Sequence, residues 1–214
     1  LSGKSVIRTL SEFAARRGEE IGYENVYDYS LGNPSVPVPA EFTDCMIEML
    51  QNSNPMELHG YSPSLGIPSV RAKIAESLNK RFGMDYGPQH IFMASGAAGA
   101  LAHAYRAVTQ PGDEILTFAP YFPEYNPYVN LTGAVLKVVP ADTGTFQINF
   151  GAFEEMLNEK VTAVLINSPN NPSGVVYSAE TLVRLADMLE IKQREFGHAI
   201  YLISDEPYRE IIFG

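Results

Sequence analysis

An α/β fold, with a mostly parallel sheet covered by helices on both faces, is predicted by three features of the chain. From Gln89 onward, short apolar runs alternate with Gly/Pro punctuation and helical stretches, the strand–turn–helix order of a crossover-connected sheet. Runs such as AVLIN and IYLIS are apolar at consecutive positions, as strands buried on both faces require, whereas a half-solvated strand would alternate. The unusual residues of the chain follow directly after those runs, and in open parallel sheets ligands bind beyond the carboxyl ends of the strands.

Taken in order, residues 5–20 read as a helix with an apolar stripe (Val6, Leu10, Phe13, Ala14) and a basic face (Arg8, Arg16, Arg17) at three-to-four spacing. The prolines of LGNPSVPVP, residues 31–39, forbid regular helix and favour an extended path, which places a boundary there. Amphipathic helices are predicted over 41–51 and 67–82, separated by the turn-rich SNPMELHGYSPSLG. Strands then follow at 91–94, 114–118, 134–139, 162–167 and 199–204, with helices over 100–109, 150–158 and 179–196 between several of them. Cys45 is expected on the buried face of its helix, and Glu19–Glu20 and Glu154–Glu155 on solvated faces. No fixed-period repeat is present, which argues against a solenoid or propeller.

Composition narrows the functional classes. A chain of 214 residues buries one sizeable core but would be crowded as two enzyme domains. With 25 acidic against 15 basic residues and a net charge of -10, it lacks the footprint of a nucleic-acid or anionic-membrane binder. Hydrophobic residues at 45% and charged residues at 19% are globular rather than disordered composition. No apolar run approaches the ~20 residues of a membrane helix. The single cysteine, Cys45, cannot close an intrachain disulfide, and no signal-like apolar block opens the chain, so a cytoplasmic setting is expected. The sequence begins without Met and stops at IIFG, just after a strand-to-loop segment, so an incomplete chain is expected.

Five segments carry candidate chemistry. SGAAGAL, residues 95–101, follows a strand and opens a helix; its small residues suit either close backbone approach to a phosphate at the helix N-terminus or tight helix–sheet packing. In PYFPEY, residues 120–125, Phe122 either stacks on a flat heteroaromatic ring or packs in the core. NSPNNPSG, residues 167–174, is more specific: its turn residues hold Asn171 in a rigid loop, where its amide can donate to a ligand oxygen. YLISDEPYRE, residues 201–210, puts Asp205 at the end of a buried strand, where an acid needs a cationic partner such as a protonated ring nitrogen, or else serves as a helix N-cap. GYSPSLGIPSVR, residues 60–71, sets Tyr61 in a turn before a helix. His59, His90, His103 and His198 lack zinc-ligand spacing, so no metal site is expected, and no Gly-x-Ser-x-Gly elbow, Walker loop or dinucleotide glycine fingerprint is present.

Taken together, the ordered series GNP, GYSPSLGIPSVR, SGAAGAL, PYFPEY, NSPNNPSG and SDEPY resembles the class I/II aminotransferases, pyridoxal-phosphate (PLP) enzymes of fold type I, from about Leu31 to the last residue. The resemblance implies a three-layer α/β/α large domain, incomplete here, over 41–214, preceded by an N-terminal helical arm and part of a small domain over 1–40. It implies that Asp205 pairs with the cofactor's pyridine nitrogen, that Asn171 and Tyr208 bond its phenolic oxygen, that Phe122 stacks on the ring, and that Ser95, Gly96, Ala97 and Ala98 cradle the phosphate. Tyr61 matches a tyrosine that reaches the neighbouring subunit's phosphate, which implies a homodimer; Gly32, with Asn33 beside it, matches the glycine at the substrate carboxylate. The family's Schiff-base lysine and carboxylate-binding arginine lie further along than Gly214, and Lys73, Lys80, Lys137, Lys160 and Lys192 lack the lysine's surrounding motif. The implied activity is amino transfer between an L-amino acid and a 2-oxo acid, in amino acid metabolism, with the 214-residue chain by itself inactive. A carbon–sulfur lyase or aminocyclopropane-carboxylate synthase would keep all these motifs; a regulator with an aminotransferase-like sensor domain is a second alternative, against which the first thirty residues show no helix-turn-helix, and a nucleotide-binding α/β module is a third, which leaves SDEPY and NSPNNPSG unexplained.

Overall fold

The computed structural model describes residues 5–32 and 36–211. The chain divides into two compact units, residues 1–93 and 94–214.

The first unit is helical: α1 (Val6–Ile21), α2 (Ala40–Asn52), α3 (Pro55–Leu58) and α4 (Pro68–Phe82), with short 3-10 turns at Tyr23–Asn25 and Pro88–His90. Ser5 starts α1 by accepting from the Arg8 amide, and Pro68 stands in the first turn of α4, where its missing N–H costs nothing. The buried Arg71 of α4 ties down the following segment, donating from Nε to the Ile91 carbonyl at 2.7 Å and from Nη2 to that of Pro88 at 2.5 Å. Little else in this unit is buried. Cys45 is exposed rather than on a buried face, because no residue of α2 is buried and its apolar Phe42, Met46, Ile47 and Leu50 are open as well. The strand expected at 91–94 does not form either. The Ile91 carbonyl is taken by Arg71 and the Met93 amide donates to Leu65, so this backbone is bonded outside any ladder.

The second unit carries the sheet. Following α5 (Gly96–Val108), the chain runs β1 (Glu114–Phe118), α6 (Tyr125–Asn130), β2 (Val135–Val139), α7 (Phe150–Met156), β3 (Val161–Asn167), α8 (Ala179–Phe196) and β4 (Tyr201–Asp205). The four strands are parallel, in the order β2-β1-β3-β4. Alternate side chains divide the core. Leu116, Phe118, Val164 and Ile166 face Phe153 of α7 and Leu185 and Leu189 of α8, while Ile115, Ala163 and Leu165 face Leu101 and Tyr105 of α5 and Tyr125 and Val129 of α6. Helices thus lie on both faces of the sheet, as expected, and AVLIN is buried in β3; IYLIS is not buried on both faces, because among the described residues β4 is an edge strand bonded to β3 alone, and its Tyr201 and Leu202 are exposed. Full burial of each such side chain stabilises by roughly 1.5–3 kcal/mol, and the largest fully buried ones, among them Tyr105, Tyr125, Phe153 and Leu165, all belong to this unit.

Two helices went unread in the sequence. Both α3 and α6 are short and open around turn chemistry, with Pro55 at the start of one and Pro127 in the first turn of the other. Helix α5 starts at Gly96, earlier than expected; Gly96 turns the chain into it at φ +71°, which glycine tolerates, and Ala97 and Ala98 favour helix.

Tyr177 packs edge-on to Phe118 at 6.4 Å, and burial pushes its phenol up to about 12. The unfolded chain ionises this group near its ordinary ~10, so between those values the folded state holds the extra proton and loses stability as pH rises. Urea unfolding between pH 9 and 12 is expected to show stability intact below pH 10 and falling above it. Tyr177→Phe should flatten that fall by up to about 1.4 kcal/mol per pH unit.

Candidate functional site

The strand order places a switch point at β1: the chain leaves it for β2 on one side and returns to β3 on the other. Loops leaving such neighbours diverge and open a crevice at the carboxyl ends. The loops here are Ala119–Pro120 onward from β1, Ser168 to Gly174 from β3, and Glu206 to Glu210 from β4.

Asp205, the last residue of β4, is buried and lies in register beside Asn167, the last of β3. It does not cap a helix, since turns follow it, and its carboxylate is used inside the domain. Its Oδ2 accepts from the Tyr125 hydroxyl at 2.6 Å, and its backbone carbonyl accepts from Asn167 Nδ2 at 2.8 Å. Asn167 turns its other side-chain atom to the next loop, where Oδ1 accepts from the Asn171 amide at 2.7 Å. Asn171 Nδ2 in turn donates to the Tyr208 hydroxyl oxygen at 3.1 Å. The result is one connected network from Tyr125 through Asp205, Asn167 and Asn171 to Tyr208.

The loop after β3 is braced from behind. Asn170 Nδ2 donates to the Pro120 carbonyl at 3.3 Å, joining it to the loop after β1, while Asn170 Oδ1 accepts from the Ser173 amide and hydroxyl. Gly174 closes the turn at φ +74°, its amide donating to the Asn170 carbonyl. Phe122 is half-buried and meets Tyr125 edge-on, with centroids 5.6 Å apart and planes at 80°, so it packs on the core along one side only.

These positions define donors and acceptors. Because the Tyr208 oxygen accepts from Asn171, its own O–H remains to donate to a further oxygen. The Tyr125 phenol is pushed far above its usual range, first by burial and then by its bond to Asp205, so it acts as a donor. The Tyr105 phenol rises through burial and then the Asp205 charge, and its fully buried hydroxyl has no hydrogen-bond partner. At the start of α5, Ser95 makes no side-chain cap bond, Ser95, Gly96, Ala97 and Ala98 are exposed, and the place of a Cβ on Gly96 is open space. The Gly96 amide is taken by the Ala94 carbonyl at 3.1 Å, so the Ser95 hydroxyl and the following amides of the first turn are the donor set suited to a phosphate. These donors, with the acidic Asp205 as acceptor, fit a phosphorylated pyridine carrying a phenolic oxygen.

Of the other sequence-predicted residues, Tyr61 is fully exposed in the first unit and Gly32 lies there with open space around it, while Asn33 falls outside the described residues. Lys137 and Lys192 sit in ion pairs with Glu114 and Glu195, away from the network. Sequence reasoning missed Tyr125 and Asn167. Both stood inside quoted motifs, but a role that consists of bonding a residue 80 or 38 positions away leaves no local pattern.

Such a platform defines a class of protein: an α/β/α domain with a hydrogen-bonded polar network at the carboxyl edge of its sheet, next to the switch point. Comparison supplies the family, for the chain belongs to the aminotransferases of class I and II, whose pattern it matches over residues 24–214. It is 36% identical over 194 residues to the aspartate aminotransferase of Thermotoga maritima, covering 89% of this chain and 48% of that protein. It is 32% identical over 157 residues to the methionine aminotransferase of Escherichia coli, covering 72% of this chain and 39% of that one. Among solved structures, an amino transferase from Eubacterium rectale superposes with a TM-score of 0.94 at 48% identity, over 99% of this chain and 54% of that chain. The Thermotoga maritima aspartate aminotransferase gives a TM-score of 0.81 at 30% identity, over 94% and 51%. The chain thus spans about half the length of the relatives it matches.

Replacing Asn167 by Ala leaves the Asp205 carbonyl and the Asn171 amide without their partner. The expected cost is about 1–3 kcal/mol, read as a lower urea midpoint of the full-length protein; a change under about 0.5 kcal/mol would show that the amide bridge is incidental.

Proposed function

We propose that this chain forms the cofactor-holding part of a PLP-dependent aminotransferase, which moves an amino group between an L-amino acid and a 2-oxo acid. The observation that carries the reading is the single network joining Asp205, Asn171 and Tyr208 at the carboxyl edge of the sheet, beside Phe122. When bound, PLP supplies an electron sink for the substrate's alpha carbon.

The residues divide that work. Asp205 offers a carboxylate to a protonated ring nitrogen, and the pairing compensates the cost of burying the charge. Asn171 and Tyr208 donate to the phenolic oxygen, the amide fixing which way the tyrosine hydrogen points. Phe122 covers one ring face, and the turn of Ser95, Gly96, Ala97 and Ala98 receives the phosphate, with the Ser95 hydroxyl and the amides of Ala97 and Ala98 as its donors. Gly32 and Asn33 receive the substrate carboxylate. Residues 41–214 belong to the large domain on this reading, and 1–40 to the arm and part of a small domain. Tyr61 reaches the second subunit of a homodimer. The setting is cytoplasmic; no helix among the described residues is long and apolar enough to cross a membrane.

The test is the visible absorbance spectrum of the full-length protein before and after borohydride, with peptide mapping of the reduced adduct. Bound PLP trapped on a lysine outside residues 1–214 is expected, and a protein that takes up no PLP would overturn the proposal. Asp205→Ala should lower kcat/KM by about a hundred-fold or more, the usual consequence of removing one member of a buried charge pair.

A further inference from the structure

Tyr125 lies outside the set of residues assigned above to touch the cofactor, yet it makes the short buried contact to the carboxylate on which the set turns. Its hydroxyl donates to Asp205 Oδ2 at 2.6 Å across 80 residues of sequence, from the first residue of α6 to the last of β4. Tyr125 is only 1% exposed. The Asp205 backbone carbonyl is meanwhile held by Asn167 at 2.8 Å, so both the main chain and one carboxylate oxygen of this residue are pinned.

A carboxylate held at one oxygen by a buried donor has lost its freedom to rotate, and its second oxygen is thereby aimed. The neighbouring phenol shows that proximity is not enough. Tyr105 is fully buried and feels the Asp205 charge, but its hydroxyl bonds nothing. Tyr125 is also the edge partner of Phe122, so one segment after β1 carries both the aromatic platform and the anchor of the carboxylate.

We propose that Tyr125 is a positioning residue for the reaction, which acts through Asp205 to orient its free carboxylate oxygen onto the ring nitrogen of the cofactor. This inference rests on the cofactor reading above. A residue acting in this way strengthens one contact only, the one made to the ring nitrogen, and contributes little to the grip on phosphate, phenolic oxygen or ring face.

That selectivity is the test. Full-length apoprotein, wild type and Tyr125→Phe, is titrated with PLP and with its 1-deaza analogue, in which a C–H replaces the ring nitrogen. The quantity read is the ratio of the two dissociation constants within each protein, in which a uniform loss of folded molecules cancels. The wild type is expected to prefer PLP, and Tyr125→Phe to lower that preference about ten-fold by weakening PLP alone, the scale of a hydrogen bond to a charged group. Tyr105→Phe removes a buried hydroxyl beside the same carboxylate that makes no bond, and should leave the ratio unchanged. A wild-type preference that Tyr125→Phe keeps in full, or loses no more than Tyr105→Phe does, overturns the inference and leaves the cofactor reading standing. A wild type that binds PLP and the analogue alike overturns the pairing of Asp205 with the ring nitrogen, and this inference with it, while a wild type that binds neither overturns the cofactor reading. A second measurement needs no variant: the Tyr125 hydroxyl proton of the wild type should shift in the magnetic resonance spectrum on loading with PLP and not with the analogue, and equal shifts would count against the positioning role.

Discussion

The arrangement depends on one buried carboxylate. A buried acid costs several kcal/mol in lost hydration unless polar partners surround it, and Asp205, at the end of the edge strand β4, finds them on elements that arrive from different parts of the chain. Tyr125 comes from α6, Asn167 from β3, and Asp205 itself closes β4. Meeting that electrostatic requirement therefore demands that three crossovers be complete and that β3 and β4 be in register. A slip of one residue would turn Asp205 to the opposite face of the sheet and away from both donors.

The same requirement explains why the loops at this edge are rigid. Asn167 faces two ways, bonding the Asp205 carbonyl with its amide nitrogen and the Asn171 amide with its oxygen, so that the buried acid and the loop after β3 share one side chain. Asn170 ties the loop after β3 to the loop after β1 across the switch point. The side chains at this edge are consequently held in place by bonds within the domain, which on the proposed function reduces the ordering cost of binding. On the proposed function, this preorganisation is what the large hydrophobic sandwich beneath the site provides.

Much of this was legible in the sequence. The apolar runs at 114–118, 134–139, 162–167 and 199–204 announced the four strands to within two residues at each end, and 179–196 announced helix α8. Asn171 could be named from the density of its turn motif, Asp205 from an acid at the end of an apolar run, and Tyr208 and Phe122 from the resemblance, and the structure joins all four through Tyr125 and Asn167. The exceptions are instructive. Residues 91–94 have the composition of a strand, but strand formation is a property of pairs, and their backbone groups are bonded to Arg71 and Leu65 instead. Cys45 sits on a helix with an apolar stripe, but a stripe is buried only where a second surface meets it.

By itself, then, the sequence determined what depends on neighbours a few residues apart: the periodicity of strands and helices, the turn chemistry after each strand, and the order of motifs that places the chain in its family. The tertiary structure alone decided the strand order β2-β1-β3-β4, the switch point at β1, and the choice of Tyr125 rather than Tyr105 as the partner of Asp205. The physical reason is the range of the interactions. A hydrogen bond spanning 80 residues, or a ladder joining β1 to β3 past β2, is selected by burial and geometry once the layers have packed, and it leaves no mark in the spacing of residues along the chain.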